Sequence, residues 1–171
     1  MIRQGKIEDA SRIIEVLSAC GKNLRAQGID QWDENYPNLA QIEIDIQQNE
    51  LFVIEIEGII QGCIVLNEVQ DKEYFELDWI TDNNEKQLVV HRLGIHPESQ
   101  GKGFARKLMD FAENLAKTRD YQSIRLDTFS QNPKNQAFYK KRGYTEIGSV
   151  YLPYKKNHPY FCYEFLTSWM D

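Results

Sequence analysis

The chain has 171 residues, 42% of them hydrophobic and 27% charged. That length suits one domain, residues 1–171, and that apolar share suffices for a packed core, which argues against disorder. A formal net charge of −6 argues against general nucleic-acid binding, which needs a basic stripe, and is compatible with a cationic substrate such as an amine.

Cys20, Cys63 and Cys162 have no CxxC spacing and cannot all pair with one another, so no metal site or disulfide framework is indicated. A reducing, cytoplasmic compartment is the expectation. The opening Met1-Ile2-Arg3-Gln4-Gly5 lacks an apolar run long enough for a signal peptide or a membrane span.

After a short first strand, Ala10, Ile13, Ile14 and Leu17 recur at helical spacing and predict a helix from about Ile7. The stretch from Gln27 to Trp32 breaks it. Asn38 with Gln41 has the spacing of a capping box, and Leu39, Ile42 and Ile46 form the expected buried stripe of a second helix. Leu51 to Glu57 and Ile59 to Val69 read as a hairpin turning at Glu57-Gly58. A strand from Leu88 to Ile95 follows the Asp82-Asn83-Asn84 turn, and Gly94 near its end predicts a bulge or a close backbone approach.

The helix from about Gly103 to Lys117 shows Phe104, Ala105, Leu108, Met109, Ala112, Leu115 and Ala116 on one face. A strand from Ser123 to Phe129 follows. Asn132-Pro133 then caps and opens a short helix that runs to about Arg142 and stops at Gly143. Strands near Glu146 to Leu152 and Tyr160 to Thr167 close the chain. The helix between Leu88–Ile95 and Ser123–Phe129 makes those strands parallel neighbours in a mixed α/β sheet.

The turn Gln100-Gly101-Lys102-Gly103-Phe104-Ala105 leads from a strand into a helix N-terminus, where unpaired N–H groups and the helix dipole favour anions. Glycines at 101 and 103 permit close approach of a phosphate, and Lys102 and Arg106 add positive charge. A magnesium-dependent P-loop would need Ser or Thr after Lys102, where Gly103 stands. A dinucleotide fingerprint would need a third glycine where Arg106 stands. A ligand-free turn is the plain alternative for this loop taken alone.

The run from Val90 to Ala105 resembles motif A of the GNAT acetyltransferases, in which Gln100, Gly103 and Ala105 match the signature. Asn132, Asn135, Phe138, Tyr139 and Gly143-Tyr144 resemble that family's next motif, and the element order is also the family's. The resemblance implies a GNAT fold: a mixed, mostly antiparallel central sheet, splayed between its two parallel central strands and flanked by helices. It implies acetyl-CoA as cofactor and transfer of an acetyl group to a primary amine of a small molecule or peptide. A non-catalytic acyl-CoA sensor on the same fold is the alternative. A homodimer is common in the family, and the C-terminal strands could supply the contact.

Residue by residue, the resemblance implies that backbone groups of Leu93, Gly94 and Ile95 pair with the pantetheine arm. The amides from Gln100 through Gly101, Lys102, Gly103, Phe104 and Ala105 would bind the pyrophosphate. Asn132 and Asn135 are expected near the pantetheine or the substrate edge and Phe138 at the cofactor, with Asn132 equally readable as a helix cap. Tyr139 is the implied general acid, its phenol protonating the leaving thiolate. The family often places a carboxylate on the strand before the loop, but Val89 stands there. His91, of the same strand parity, is the candidate base, and Glu76 and Asp78 could act through water. Trp32, Trp79 and Glu76 are the candidate contacts for an amine with an apolar body, although aromatics such as these also serve as core. No metal ligands are expected.

Overall fold

The computed structural model describes residues 1–153 and 155–170, Lys155 and Lys156 as backbone only. Its elements run β1 (Ile2–Gln4), α1 (Ala10–Ala26), α2 (Leu39–Gln47), β2 (Leu51–Ile56), β3 (Ile59–Asn67), β4 (Gln87–Ile95), α3 (Phe104–Thr118), β5 (Ser123–Phe129), α4 (Pro133–Lys141), β6 (Thr145–Leu152) and β7 (Lys155–Leu166). This is the expected order, in a mixed α/β sheet whose strands follow β1-β2-β3-β4-β5-β7-β6. Short 3-10 turns occupy Ile7–Asp9, Lys72–Glu76 and Pro97–Ser99. The described residues group into two compact units, Met1–Leu66 with His91–Ala112, and Asn67–Val90 with the chain from Glu113 onward.

In the first unit, Ala10, Ile13 and Leu17 of α1 and Ile42 and Ile46 of α2 pack on Leu51, Val53, Ile60, Cys63 and Val65 of the β2–β3 hairpin. Both hairpin-turn residues have positive φ, 51° at Glu57 and 77° at Gly58, the twist that suits a two-residue turn between antiparallel strands. Asn38 caps α2 by accepting the Gln41 N–H at 2.9 Å, a contact typically contributing about 1 kcal/mol. The reciprocal half of the capping box is absent, because the Gln41 amide donates to Asp45 instead, at 3.0 Å.

Two expectations need correcting here. The first helix begins at Ala10, the residues from Ile7 forming a 3-10 turn ahead of it. Leu39 is 42% exposed rather than part of the buried stripe. Helical side chains lean toward the N-terminus, so a residue at the first helical position reaches past the end of the packed face. Asp45 takes the inward place instead and is buried.

In the second unit, β4 pairs in parallel with β5 over Gln87↔Ser123, Leu88↔Ile124 and Val89↔Arg125. The boundary between the units falls just beyond that ladder, at Val90/His91. β5 continues antiparallel against β7 along its whole length, from Ser123↔Leu166 to Phe129↔Tyr160. β7 begins at Lys155, earlier than its alternation suggested, because its first residues extend the hairpin with β6. Asn132 caps α4, accepting the Asn135 N–H at 3.2 Å, and Pro133 opens it. Gly143, with φ of 92°, ends it as expected.

Candidate active site

The glycine loop lies in the first unit and is built by its neighbours. Ser99 donates to Gln61 at 2.6 Å, and the Gln100 amide donates to the Ile95 carbonyl at 3.1 Å, which holds the loop to the end of β4. Gly101 and Gly103 have φ of 78° and 81°, values that side chains rarely adopt. A Cβ on Gly101 would meet nothing within 4 Å, and one on Gly103 would meet only the flexible Arg106 tip at 3.8 Å. The glycines are therefore demanded by backbone conformation and leave open space over the loop. Helix N-termini usually attract acidic side chains, yet the first turn of α3 has none and is flanked by exposed Lys102, Arg106 and Lys107. Cations at the positive end of a helix dipole fit an external polyanion such as a pyrophosphate.

The C-terminal half of β4 lies in the same unit. Its irregularity sits at Arg92, whose φ is 48°, rather than at Gly94. A left-handed residue other than glycine costs about 1–2 kcal/mol and must be held by its surroundings. The guanidinium is held by Asp45, with Nε and Nη2 donating to its two oxygens at 2.7 and 2.8 Å, and by the Tyr36 hydroxyl at 2.9 Å. Gly94 meets the second half of its expectation, a close approach. A Cβ there would come within 2.7 Å of Leu17 and 3.5 Å of both Cys20 and the Trp32 ring. A Cβ on Gly62 would likewise strike Ile95 and the Gly94 carbonyl.

These contacts place Trp32 against the Gly94 backbone, and His91 half-buried one residue before the kink. The Ile95 carbonyl accepts from both Cys20 Sγ (2.8 Å) and Gln100.

In the second unit, α4 carries Asn132, Asn135, Phe138 and Tyr139 together. Asn132 is buried and makes the cap bond, while Phe138 sits edge-on to Tyr139 with ring centroids 5.2 Å apart. Tyr139 is buried among the rings of Tyr144 and Tyr163, at 5.8 and 6.1 Å. Burial, and then the charge of Asp127, push its phenol well above the ordinary value, with Arg142 opposing. The phenol is thus protonated at neutral pH and equipped to give a proton rather than take one. The end of α4 is clamped to α3 by Arg142, which donates to both oxygens of Glu113 at 3.1 and 2.7 Å.

The segment 67–86 reaches the second unit's strands through a buried network missed by sequence reasoning. Arg125 and Glu164 are fully buried and paired at 3.1 Å. Arg125 also donates to Gln70, Asn83 and the Thr81 carbonyl, and Glu164 accepts from Ser123 and the Ile80 N–H. The available signal was alternation: Ser123, Arg125 and Asp127 share one face of a strand whose other face is apolar. Trp79 belongs to this network, with Arg125 4.3 Å over its ring and its Nε1 donating to the Tyr74 carbonyl at 2.7 Å. Glu76 is exposed at the end of the Lys72–Glu76 turn. Trp32 thus falls in the first unit, and Trp79 and Glu76 in the second.

The profile of the "Acetyltransferase (GNAT) family" matches residues 18–144, and the chain belongs to that family. It is accordingly an acyl-CoA-dependent acetyltransferase, and its acyl donor is acetyl-CoA. Similar proteins include the Bacillus subtilis (strain 168) protein called "uncharacterized N-acetyltransferase YesJ", 24% identical over 144 residues that span 83% of this chain and 79% of that one. The same fold occurs in a GNAT-family acetyltransferase from Streptococcus agalactiae 2603, at TM-score 0.83 and 23% identity over 97% and 94% of the two chains. It recurs in the PaiA N-acetyltransferase of Thermoplasma acidophilum, solved with coenzyme A, at TM-score 0.74 and 23% identity over 97% and 98%.

Proposed function

We propose that this acetyltransferase acts on a primary amine of a small molecule or peptide, which attacks the acetyl thioester directly. The observation that carries the reading is the α3 loop, with two positive-φ glycines, open space above Gly101 and an acid-free first turn flanked by Lys102, Arg106 and Lys107. Acetyl-CoA supplies an activated acetyl group whose leaving group is a thiolate. The amides from Gln100 to Ala105 hold its pyrophosphate. Backbone groups of Leu93, Gly94 and Ile95 line its pantetheine, with Asn132, Asn135 and Phe138 as further contacts.

One N–H of that strand polarises the acetyl carbonyl. Tyr139 gives its proton to the departing sulfur. His91 stands as a candidate base, and Trp32, Trp79 and Glu76 as contacts for the amine. The family match runs through segments of both units, which supports residues 1–171 as a single acetyltransferase domain. Three free, buried cysteines support a reducing, cytoplasmic setting.

The test is calorimetric titration with acetyl-CoA of the wild type and of Gly103→Glu, beside a coenzyme A release assay over a panel of primary amines. Binding by the wild type, its loss in the variant and release with at least one amine are expected. A folded wild-type protein that binds no acetyl-CoA would end the reading.

A further inference from the structure

Asp127 differs from Asp45, Glu164, Glu113 and Asp9, four carboxylates withdrawn from water, in what faces it. Asp45 has Arg92, Glu164 has Arg125, Glu113 has Arg142 and Asp9 has Arg3, each with hydrogen bonds along the guanidinium. A carboxylate withdrawn from water is ordinarily kept with such a cation. Asp127 is half-buried on β5, and among the described residues no Lys, Arg or His pairs with it. Its hydrogen-bond partner is a phenol, Tyr74, itself buried at the turn following Asp71. Asp71 adds negative charge nearby.

The remaining neighbours among the described residues offer no counter-charge either. Cys162 stands opposite Asp127 in the β5–β7 register and is a neutral thiol, its ionisation suppressed by burial first and then by Asp127. Tyr139 on α4 lies close enough to feel the Asp127 charge. Arg125, two residues back on the same face, is committed to Glu164, Gln70, Asn83 and Thr81. The second unit, which holds the proposed proton donor Tyr139, thus also holds a carboxylate that no cation among the described residues pairs with.

We infer that Asp127, held by Tyr74, is the counter-ion and proton acceptor for the acceptor substrate, which is therefore a primary amine that arrives as its ammonium ion. The inference rests on the N-acetyltransferase reading above and names the group that receives the amine. The ammonium docks on Asp127 and gives it one proton. The freed nitrogen lone pair bonds to the acetyl carbon as that carbon's bond to sulfur breaks. Tyr139 passes its phenol proton to the sulfur and takes back the nitrogen's surplus proton, and Asp127 releases its own to water. Burial raises the Asp127 carboxyl to about 6, against the pull of the Tyr74 hydrogen bond, which leaves it ionised yet basic at the pH where amines are still charged. Tyr74 is a positioning residue, since it acts through Asp127.

The test uses the full chain saturated with coenzyme A, so that amine binding is read without transfer. Spermidine, tyramine and an alanine-initiated tripeptide are titrated calorimetrically at pH 8 into wild type and Asp127→Asn. At least one amine should bind the wild type, and the variant should bind it tenfold or more weakly with coenzyme A affinity within twofold. In the wild type alone, that amine's affinity should fall as pH drops from 7 to 5, a range in which Tyr74, Tyr139 and Cys162 stay neutral and the amine stays charged. Equal affinity in the two proteins, or affinity flat with pH, overturns the inference. So does failure of every amine to bind a wild type that binds coenzyme A, which would leave the cofactor reading standing. Loss of coenzyme A binding itself would bring down both.

Discussion

Arg92 grips both oxygens of Asp45 at 2.7 and 2.8 Å, and this pair fixes a left-handed residue inside β4, with side chains only 9% and 2% exposed. The ion pair therefore sets the course of the backbone that runs on through Leu93 and Gly94. Removing one partner of such a pair strands the other, at a cost of about 3–5 kcal/mol. Asp45→Ala is expected to lower the urea midpoint accordingly and to weaken coenzyme A binding even where the protein is still folded. A variant as stable as the wild type would mean that Arg92 holds its conformation without this contact.

Lys102 and Arg106 are exposed and, among the described residues, outside any ion pair, so they would act on the proposed anion site by charge alone. Each exposed charge is worth about 0.5–1 kcal/mol toward a phosphate, so Lys102→Ala and Arg106→Ala should each weaken coenzyme A binding roughly two- to fivefold. The double variant should also flatten the dependence of affinity on salt concentration. Calorimetry at low and high salt decides it, and unchanged affinity at low salt would move the pyrophosphate away from this loop.

Tyr139→Phe keeps the ring among Phe138, Tyr144 and Tyr163 and deletes only the hydroxyl. Coenzyme A affinity and thermal stability should hold, while kcat falls by about 10²–10⁴, the usual contribution of a positioned proton donor. Because burial holds this phenol protonated, Tyr139→Phe should leave the shape of the rate profile between pH 6 and 9 as it is in the wild type. Full turnover in the phenylalanine variant would dismiss Tyr139 from the chemistry.

Asp127 also carries a stability signature. Its carboxyl titrates at about 6 in the fold against 3.8 for the ordinary group, so the folded state binds this proton more readily than the unfolded one. The ionised group thus destabilises the fold above pH 6, by about 3 kcal/mol at most, and that penalty disappears as pH falls below 4. Asp127→Asn should therefore melt higher than wild type at pH 7.5, with the gain shrinking at pH 4.5. Tyr74→Phe removes a bond that favours the carboxylate, so the acid limb of kcat/KM should move to higher pH. Melting curves at the two pH values and a rate profile are the measurements; a gain that grew on acidification would reverse the assignment.

The features legible in the residues alone were those whose physics is local. Asn38 and Asn132 cap helices through bonds to residues three positions on. Glu57-Gly58, Gly101, Gly103 and Gly143 declare themselves because positive φ is a property of one residue. The spacing of Leu108, Met109, Ala112 and Ala116 shows which side of α3 is buried. The element order and the glycine loop with its helix follow from such signals, and with them the family. Leu39 broke the pattern because hydrophobic spacing says nothing about where a packed face ends.

The charge pairings were decided only by the tertiary structure. Arg92 meets Asp45 across 47 positions, Arg125 meets Glu164 across 39, and Tyr74 meets Asp127 across 53. Nothing near Asp127 in the chain distinguishes it from Asp45, yet one faces a guanidinium and the other a phenol. A carboxylate's charge state and its appetite for a partner depend on the solvent it loses and the groups that replace it. Strand order and register supply both, so only the assembled sheet could single out Asp127.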